Sequence, residues 1–139
     1  MSLVLDSSAT LAWIYPDERP PGAVELLNWI GENGAIVPSI WRLEIINALL
    51  SARRRRRITD EEIDVVLASL LDLEITVDDE TDVHAWSQTA EIAAQNGLTI
   101  YDACYVELAL RRSLPIATFD REVRIAANAL AIPLVSSPP

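Results

Sequence analysis

No lysine occurs in this chain: all eleven side chains counted as Lys or Arg are arginine. A phosphate-binding P-loop needs a lysine on the phosphates, and phosphoaspartate sites of the receiver and haloacid-dehalogenase kinds typically use one as well, so those readings of the aspartate-rich positions lose most of their weight. One histidine, His84, and one cysteine, Cys104, leave little for zinc ligation or a His-dependent triad, and a lone cysteine cannot form an internal disulfide. The four glycines, Gly22, Gly31, Gly34 and Gly97, make no dinucleotide fingerprint. No apolar run approaches the ~20 residues of a membrane span, and Met1-Ser2-Leu3-Val4-Leu5-Asp6 is no basic leader. The expectation is a cytoplasmic protein with no membrane partner.

The 139 residues suit one domain, expected over 1–135, with Ser136-Ser137-Pro138-Pro139 as a flexible tail. A net charge of −10 argues against bulk electrostatic gripping of nucleic acid. Positive charge is nevertheless concentrated in Arg53-Arg54-Arg55-Arg56-Arg57. That run falls near a helix C-terminus, where cations offset the helix dipole; its functional alternative is a phosphate-binding arm or a protein contact.

Short apolar runs alternate with longer helical patterns. Strands are expected at Leu3–Leu5, Ala35–Val37, Leu73–Val77, Pro115–Thr118 and Ile132–Val135. Helices are expected near Ser8–Ile14, Gly22–Asn33, Ile40–Arg56, Asp60–Leu71, Asp82–Asn96, Ile100–Arg112 and Arg121–Ala129. Strands too apolar to face water, each followed by helix, predict a parallel α/β sheet covered on both faces. Thr59-Asp60-Glu61-Glu62 reads as a capping box, and Asn33-Gly34 and Asn96-Gly97 as helix stops.

Four carboxylates interrupt or close apolar segments: Asp6, Glu44, Asp102 and Asp120. Asp6 and Asp120 follow strand-like runs, and Glu44 and Asp102 lie near helix starts, so a parallel sheet can gather all four at its C-terminal edge, where open α/β sheets bind ligands. Each has a plainer reading. Asp6 can end a strand or cap a helix, Asp102 can complete a capping box with Thr99, Glu44 can pair with Arg42 or Asn47, and Asp120 can be an N-cap. Two like charges ~4 Å apart repel by about 4 kcal/mol even at an effective dielectric near 20, so four in one pocket need protons or a cation. Magnesium and manganese suit such all-oxygen sites and serve phosphodiester hydrolysis.

These residues resemble the motifs of the PIN-domain nucleases, in particular the VapC toxins of prokaryotic toxin–antitoxin pairs. Val4-Leu5-Asp6-Ser7-Ser8-Ala9 is similar to the family's opening strand and Asp. Glu44-Ile45-Ile46-Asn47-Ala48-Leu49 resembles its helical Glu followed by Asn, Thr99-Ile100-Tyr101-Asp102-Ala103 its third motif, and Ala117-Thr118-Phe119-Asp120 its closing Thr-x-Asp. The resemblance implies a Rossmann-like three-layer α/β/α sandwich and a ribonuclease using one or two Mg2+ or Mn2+ ions. By position, Asp6, Glu44, Asp102 and Asp120 would ligate metal, Ser8 and Thr118 would be hydroxyls near it, and Asn47 would orient ligands. Hydrolysis would leave a 5′-phosphate and a 3′-hydroxyl. The resemblance also implies a homodimer restrained by a cognate VapB-type antitoxin, with DNA met only through that antitoxin.

Two other readings stay open: a housekeeping RNA-processing PIN nuclease, and an inactive PIN-like module acting through a protein partner. Trp13, Trp29, Trp41 and Trp86 are read as core or dimer-face residues, His84 as structural or surface, and Cys104 as core. Glu107 and Glu122 are weaker additions to the acidic set.

Overall fold

The computed structural model describes residues 2–15 and 18–135. Five strands form one all-parallel sheet: β1 (Val4–Leu5), β2 (Ala35–Val37), β3 (Ile75–Val77), β4 (Ile116–Ala117) and β5 (Leu134–Val135), in spatial order β3-β2-β1-β4-β5. The register sets Val4 beside both Ile36 and Ile116, and Leu5 beside Ala117. β1, β2 and β4 are wholly buried, as the unbroken apolar runs require.

Helices are α1 (Ser7–Leu11), α2 (Ala23–Asn33), α3 (Trp41–Arg54), α4 (Asp60–Leu71), α5 (Thr81–His84), α6 (Ala90–Asn96), α7 (Ile100–Arg112) and α8 (Arg121–Ala129). From β1 the chain moves outward through β2 to β3, then crosses back to β4 and on to β5. Right-handed crossovers therefore set α1–α4 on one face and α5–α8 on the other, giving the three layers expected. Contacts agree: α1 packs on α3, whereas α7 packs on β1, β4, α6 and α8. The direction reverses between β1 and β4, which makes their C-terminal ends the sheet's switch point.

Each helix buries the stripe its spacing dictates. α3 buries Trp41, Ile45, Leu49 and Ala52, and α8 buries Val123, Ala126 and Ala127. α7 is buried continuously from Ala103 to Ala109, making it the central helix. The Thr59–Glu62 capping box forms with both of its hydrogen bonds.

Several boundaries differ from the sequence reading. The strands expected at Leu73–Val77 and Ile132–Val135 shorten to Ile75–Val77 and Leu134–Val135. The helix expected over Asp82–Asn96 is interrupted by a π-helical turn at Ala85–Thr89, which nothing in its apolar pattern signals. Gly34 and Gly97 do end helices with positive φ. Three further helices stop on non-glycine residues in the left-handed region: Arg56, Ser113 and Ala131. At each, paired backbone bonds close a Schellman motif, as where Arg57 N–H reaches Ala52 O and Arg56 N–H reaches Arg53 O. α3 therefore stops at Arg54 rather than Arg56. The expected tail at 136–139, and Pro16-Asp17 of the first loop, lie outside the described residues.

Candidate active site

Asp6 leaves β1 on the switch-point edge and is almost wholly buried. It occupies the N-cap position of α1, yet its side chain accepts no capping bond, so the plain capping reading fails. Oδ2 instead accepts the hydroxyls of Ser8 (2.6 Å) and Thr118 (2.7 Å). Those hydroxyls lie 3.1 Å apart and in turn accept Phe119 N–H (3.0 Å) and Asp120 N–H (3.1 Å). The ends of β1 and β4 are thus stitched together around one carboxylate oxygen. Oδ1, the other, is buried with no hydrogen-bond partner among the described residues. An orphaned carboxylate oxygen is costly to bury, and it is what a hard cation would satisfy.

The remaining acids approach from three helices. Glu44 sits in the first turn of α3 and accepts a 2.5 Å hydrogen bond from the Tyr105 hydroxyl of α7. Neither Arg42 nor Asn47 is its partner, which removes the local-pairing reading. Asp102 lies in the first turn of α7, where Thr99 Oγ1 accepts its backbone N–H (3.1 Å). The cap is made by that N–H, while the Thr99 hydroxyl also favours the charged Asp102 carboxylate, though too weakly to offset its burial. Asp120 does cap: its Oδ1 accepts Val123 N–H at 3.0 Å, so the capping reading holds for one oxygen only.

Electrostatics ties the four together. Burial, only partly opposed by Ser8 and Thr118, lifts Asp6 above the usual carboxylate range, and the charges of Asp120 and Glu44 add to the rise. Burial also raises Glu44; the Tyr105 and Ser7 hydroxyls oppose it and Asp102 reinforces it. Asp102 is raised by burial, then by Asp120 and Asp6. Asp6, Glu44 and Asp102 each feel at least one other acid of the set, and Asp120 is among the charges acting on Asp6 and Asp102, as expected of carboxylates converging on a shared space.

Ser8 and Thr118 therefore hold Asp6, as positioning hydroxyls. Asn47 is exposed on α3 and lines a shallow cavity of about 290 Å3 with Ile40, Leu43, Glu44 and Tyr101. Two residues escaped the sequence reading: Tyr105, whose hydroxyl holds Glu44, and Ser7. Tyr105 stands three residues after Asp102, on the same face of α7, and that i,i+3 spacing was its available signal.

A second acidic group, Asp78-Asp79-Glu80, follows β3 with carboxylate oxygens within 4.8 Å of one another. Arg111 of α7 already fills it. Its guanidinium donates to both Asp78 oxygens (2.7 and 3.1 Å), to Glu107 (2.7 and 3.3 Å) and to Glu80 (3.5 Å). Burial alone would raise Asp78, but Arg111 outweighs it and holds the carboxyl below its ordinary range. Glu107 is committed to this ion pair and is not part of the switch-point set.

Among the arginines, Arg53 pairs with Asp60 (2.7 Å) and Arg57 with Glu18 (2.6 Å), while Arg54, Arg55 and Arg56 show no side-chain partner among the described residues. Trp13 and Trp41 are core, and Trp29 is partly buried against it. Trp86 is not core: it is 99% exposed on the π-helical turn. His84 is a surface-proximal residue bonded to Glu80 and Gln88. Cys104 is buried, and its thiol is pushed up to about 11 by burial and then by Glu107 and Glu44, so it is unreactive. No described helix is long and apolar enough to cross a membrane.

Known structures share this fold. PAE2754 from Pyrobaculum aerophilum superposes with a TM-score of 0.66 at 22% identity, covering 91% of this chain and 87% of that one. FitAcB from Neisseria gonorrhoeae gives 0.66 at 18% identity, covering 98% and 97%. In sequence, Ribonuclease VapC3 of Pyrobaculum aerophilum is 28% identical over 137 residues, 96% of this chain and 100% of the relative. The profile of the PIN domain matches residues 3–129, nearly the whole length, and on that match the chain belongs to the PIN domain family.

Proposed function

We propose that this protein is a metal-dependent endoribonuclease and the toxin of a VapBC-type pair. The observation that carries the reading is the buried, unpartnered Asp6 Oδ1 at the switch point, surrounded by carboxylates that burial and mutual repulsion hold above their usual range. Asp6, Glu44, Asp102 and Asp120 would hold one or two Mg2+ or Mn2+ ions. Such an ion would supply charge neutralisation and a bound water of lowered pKa, the chemistry that phosphodiester hydrolysis needs. This chain's residues do the rest: Ser8 and Thr118 fix the Asp6 carboxylate, Tyr105 fixes Glu44, and Thr99 sets Asp102 through its backbone. Asn47 lines a shallow cavity beside Glu44 and would orient ligands from there. No side-chain nucleophile is required, consistent with the unreactive Cys104.

Similarity to Ribonuclease VapC3 supports RNA as the substrate, while the VapB-type antitoxin partner is what the motif resemblance to VapC toxins implies. A homodimer, cytoplasmic location and DNA contact only through the antitoxin belong to the same reading. The test is to incubate antitoxin-free protein with total cellular RNA in magnesium or manganese, beside EDTA and an Asp6→Asn control. Discrete metal-dependent fragments, absent from both controls, are expected. Absence of both cleavage and calorimetric metal binding would refute it, and growth arrest surviving Asp6→Asn would favour an inactive binding module.

A further inference from the structure

The seam where α1 packs on α3 is electrically polarised. At one end lie Asp6 and Glu44 with Ser7 and Ser8; at the other, the Schellman turn after α3 folds the chain so that Arg57 lies over the Tyr15 ring, 4.2 Å from its centroid. At this second end, away from the acids, opens a cavity of about 220 Å3. Leu11, Ile14 and Leu49 contribute apolar wall, while Tyr15, Ser51, Arg55 and Arg57 bring polar groups. Arg55 has no side-chain partner among the described residues, and Arg57 has only Glu18 (2.6 Å), on an exposed pair that gains little from remaining closed.

We infer that this Arg55–Arg57 cavity binds a backbone phosphate of the RNA whose scissile bond lies at the acidic end of the same seam. The inference rests on RNA being the substrate. Three observations converge on it. Guanidinium forks match phosphate geometry, and an arginine stacked on an aromatic ring is held ready to use it. The chain carries a net charge of −10, so a polyanion needs a local cationic foothold to stay on its surface. Glu44 and Arg55 are separated along α3 by about 16 Å at ~1.5 Å of rise per residue, a span that a short stretch of single strand can bridge. The cavity thus positions the strand without reading its sequence. It also separates the five arginines by place: Arg55 and Arg57 line the cavity, whereas Arg53, Arg54 and Arg56 do not.

The test measures binding of a single-stranded RNA oligonucleotide by fluorescence anisotropy across a salt series, in an Asp102→Asn background that cannot cleave. Arg55→Gln is expected to lower the slope of log affinity against log salt by about 0.7, the value for one lost single-strand phosphate contact. Arg55→Lys retains the slope, and Glu18→Gln, which frees Arg57, tightens binding. With Asp102 intact, Arg55→Gln should raise KM for RNA long enough to span the seam and leave cleavage of a shorter oligonucleotide unchanged. An unaltered salt slope in Arg55→Gln overturns the inference, as does a loss confined to antitoxin binding. If the parent cleaves RNA and Arg55→Gln is indistinguishable from it, only this inference fails. If the parent neither binds nor cleaves RNA, the ribonuclease reading fails with it, whereas Arg55-dependent binding without cleavage would refute the proposed chemistry and leave the cavity's role standing.

Discussion

Replacing Asp102 by Asn separates a structural acid from one held in place against repulsion. The substitution is nearly isosteric, and the helix cap survives because Thr99 Oγ1 accepts the backbone N–H of residue 102, whatever its side chain. What disappears is a negative charge facing Asp120 and Asp6. Like charges cost about 4 kcal/mol at ~4 Å and an effective dielectric of ~20, and about 2 kcal/mol at twice that separation. Asp102 is only half-buried, so solvent screening reduces the pair of repulsions to about 2 kcal/mol in total. Against this stands the favourable placement of an acid in the first turn of α7, worth about 0.5 kcal/mol. The net is a gain of about 1.5 kcal/mol without metal, seen as a rise in Tm of about 5 °C in EDTA. Saturating magnesium or manganese, at about a hundred times its dissociation constant, should stabilise the parent by about 2.7 kcal/mol. In Asp102→Asn that metal increment should shrink by more than half, and cleavage should vanish. Differential scanning calorimetry in EDTA and in metal reads both effects. A lower Tm for the variant in EDTA would refute the reasoning, making Asp102 a stabilising helix-start acid.

Tyr105→Phe removes the hydroxyl that holds Glu44, and metal affinity measured by calorimetry should fall by about 10- to 100-fold while the fold persists. Arg111→Met strands the buried Asp78 and Glu107 carboxylates and should cost about 3–5 kcal/mol in denaturant unfolding, without altering metal affinity at the switch point. Stability in EDTA should vary with pH in two opposed ways. Asp6, Glu44 and Asp102 are raised in the folded state, so the native protein holds more protons and stability falls as pH climbs from the ordinary values of 3.8 and 4.5 through the raised ones. Asp78 is lowered, so its contribution is present above 3.8 and fades as pH drops through its depressed value. Urea titrations in EDTA should therefore show a mildly acidic optimum that metal moves toward neutrality, and a flat profile would refute the assignment.

The strand–helix alternation was legible in the chain because buried parallel strands must be apolar throughout and amphipathic helices must repeat their buried stripe. Ala35–Val37, Asp60–Leu71, Ile100–Arg112 and Arg121–Ala129 appear with the bounds that pattern implies. The stops at Arg56, Ser113 and Ala131 were not legible, since any residue can be driven into the left-handed region when tertiary packing outweighs a local cost of about 1 kcal/mol. Nor was the π-helical turn that leaves Trp86 in solvent.

For the site, the sequence by itself determined which carboxylates stand at strand ends and helix starts, because an acid closing an apolar segment is visible without coordinates. Only the tertiary structure decided what each one does there. Glu107, a weaker candidate in the linear reading, and Asp78, which that reading did not single out, are met across the fold by a cation from the chain itself, Arg111. Asp6 keeps an oxygen that nothing among the described residues reaches. Whether a buried acid is satisfied depends on groups far away in sequence, such as Thr118 for Asp6 and Tyr105 for Glu44, and such partnerships exist only once the sheet has brought them together.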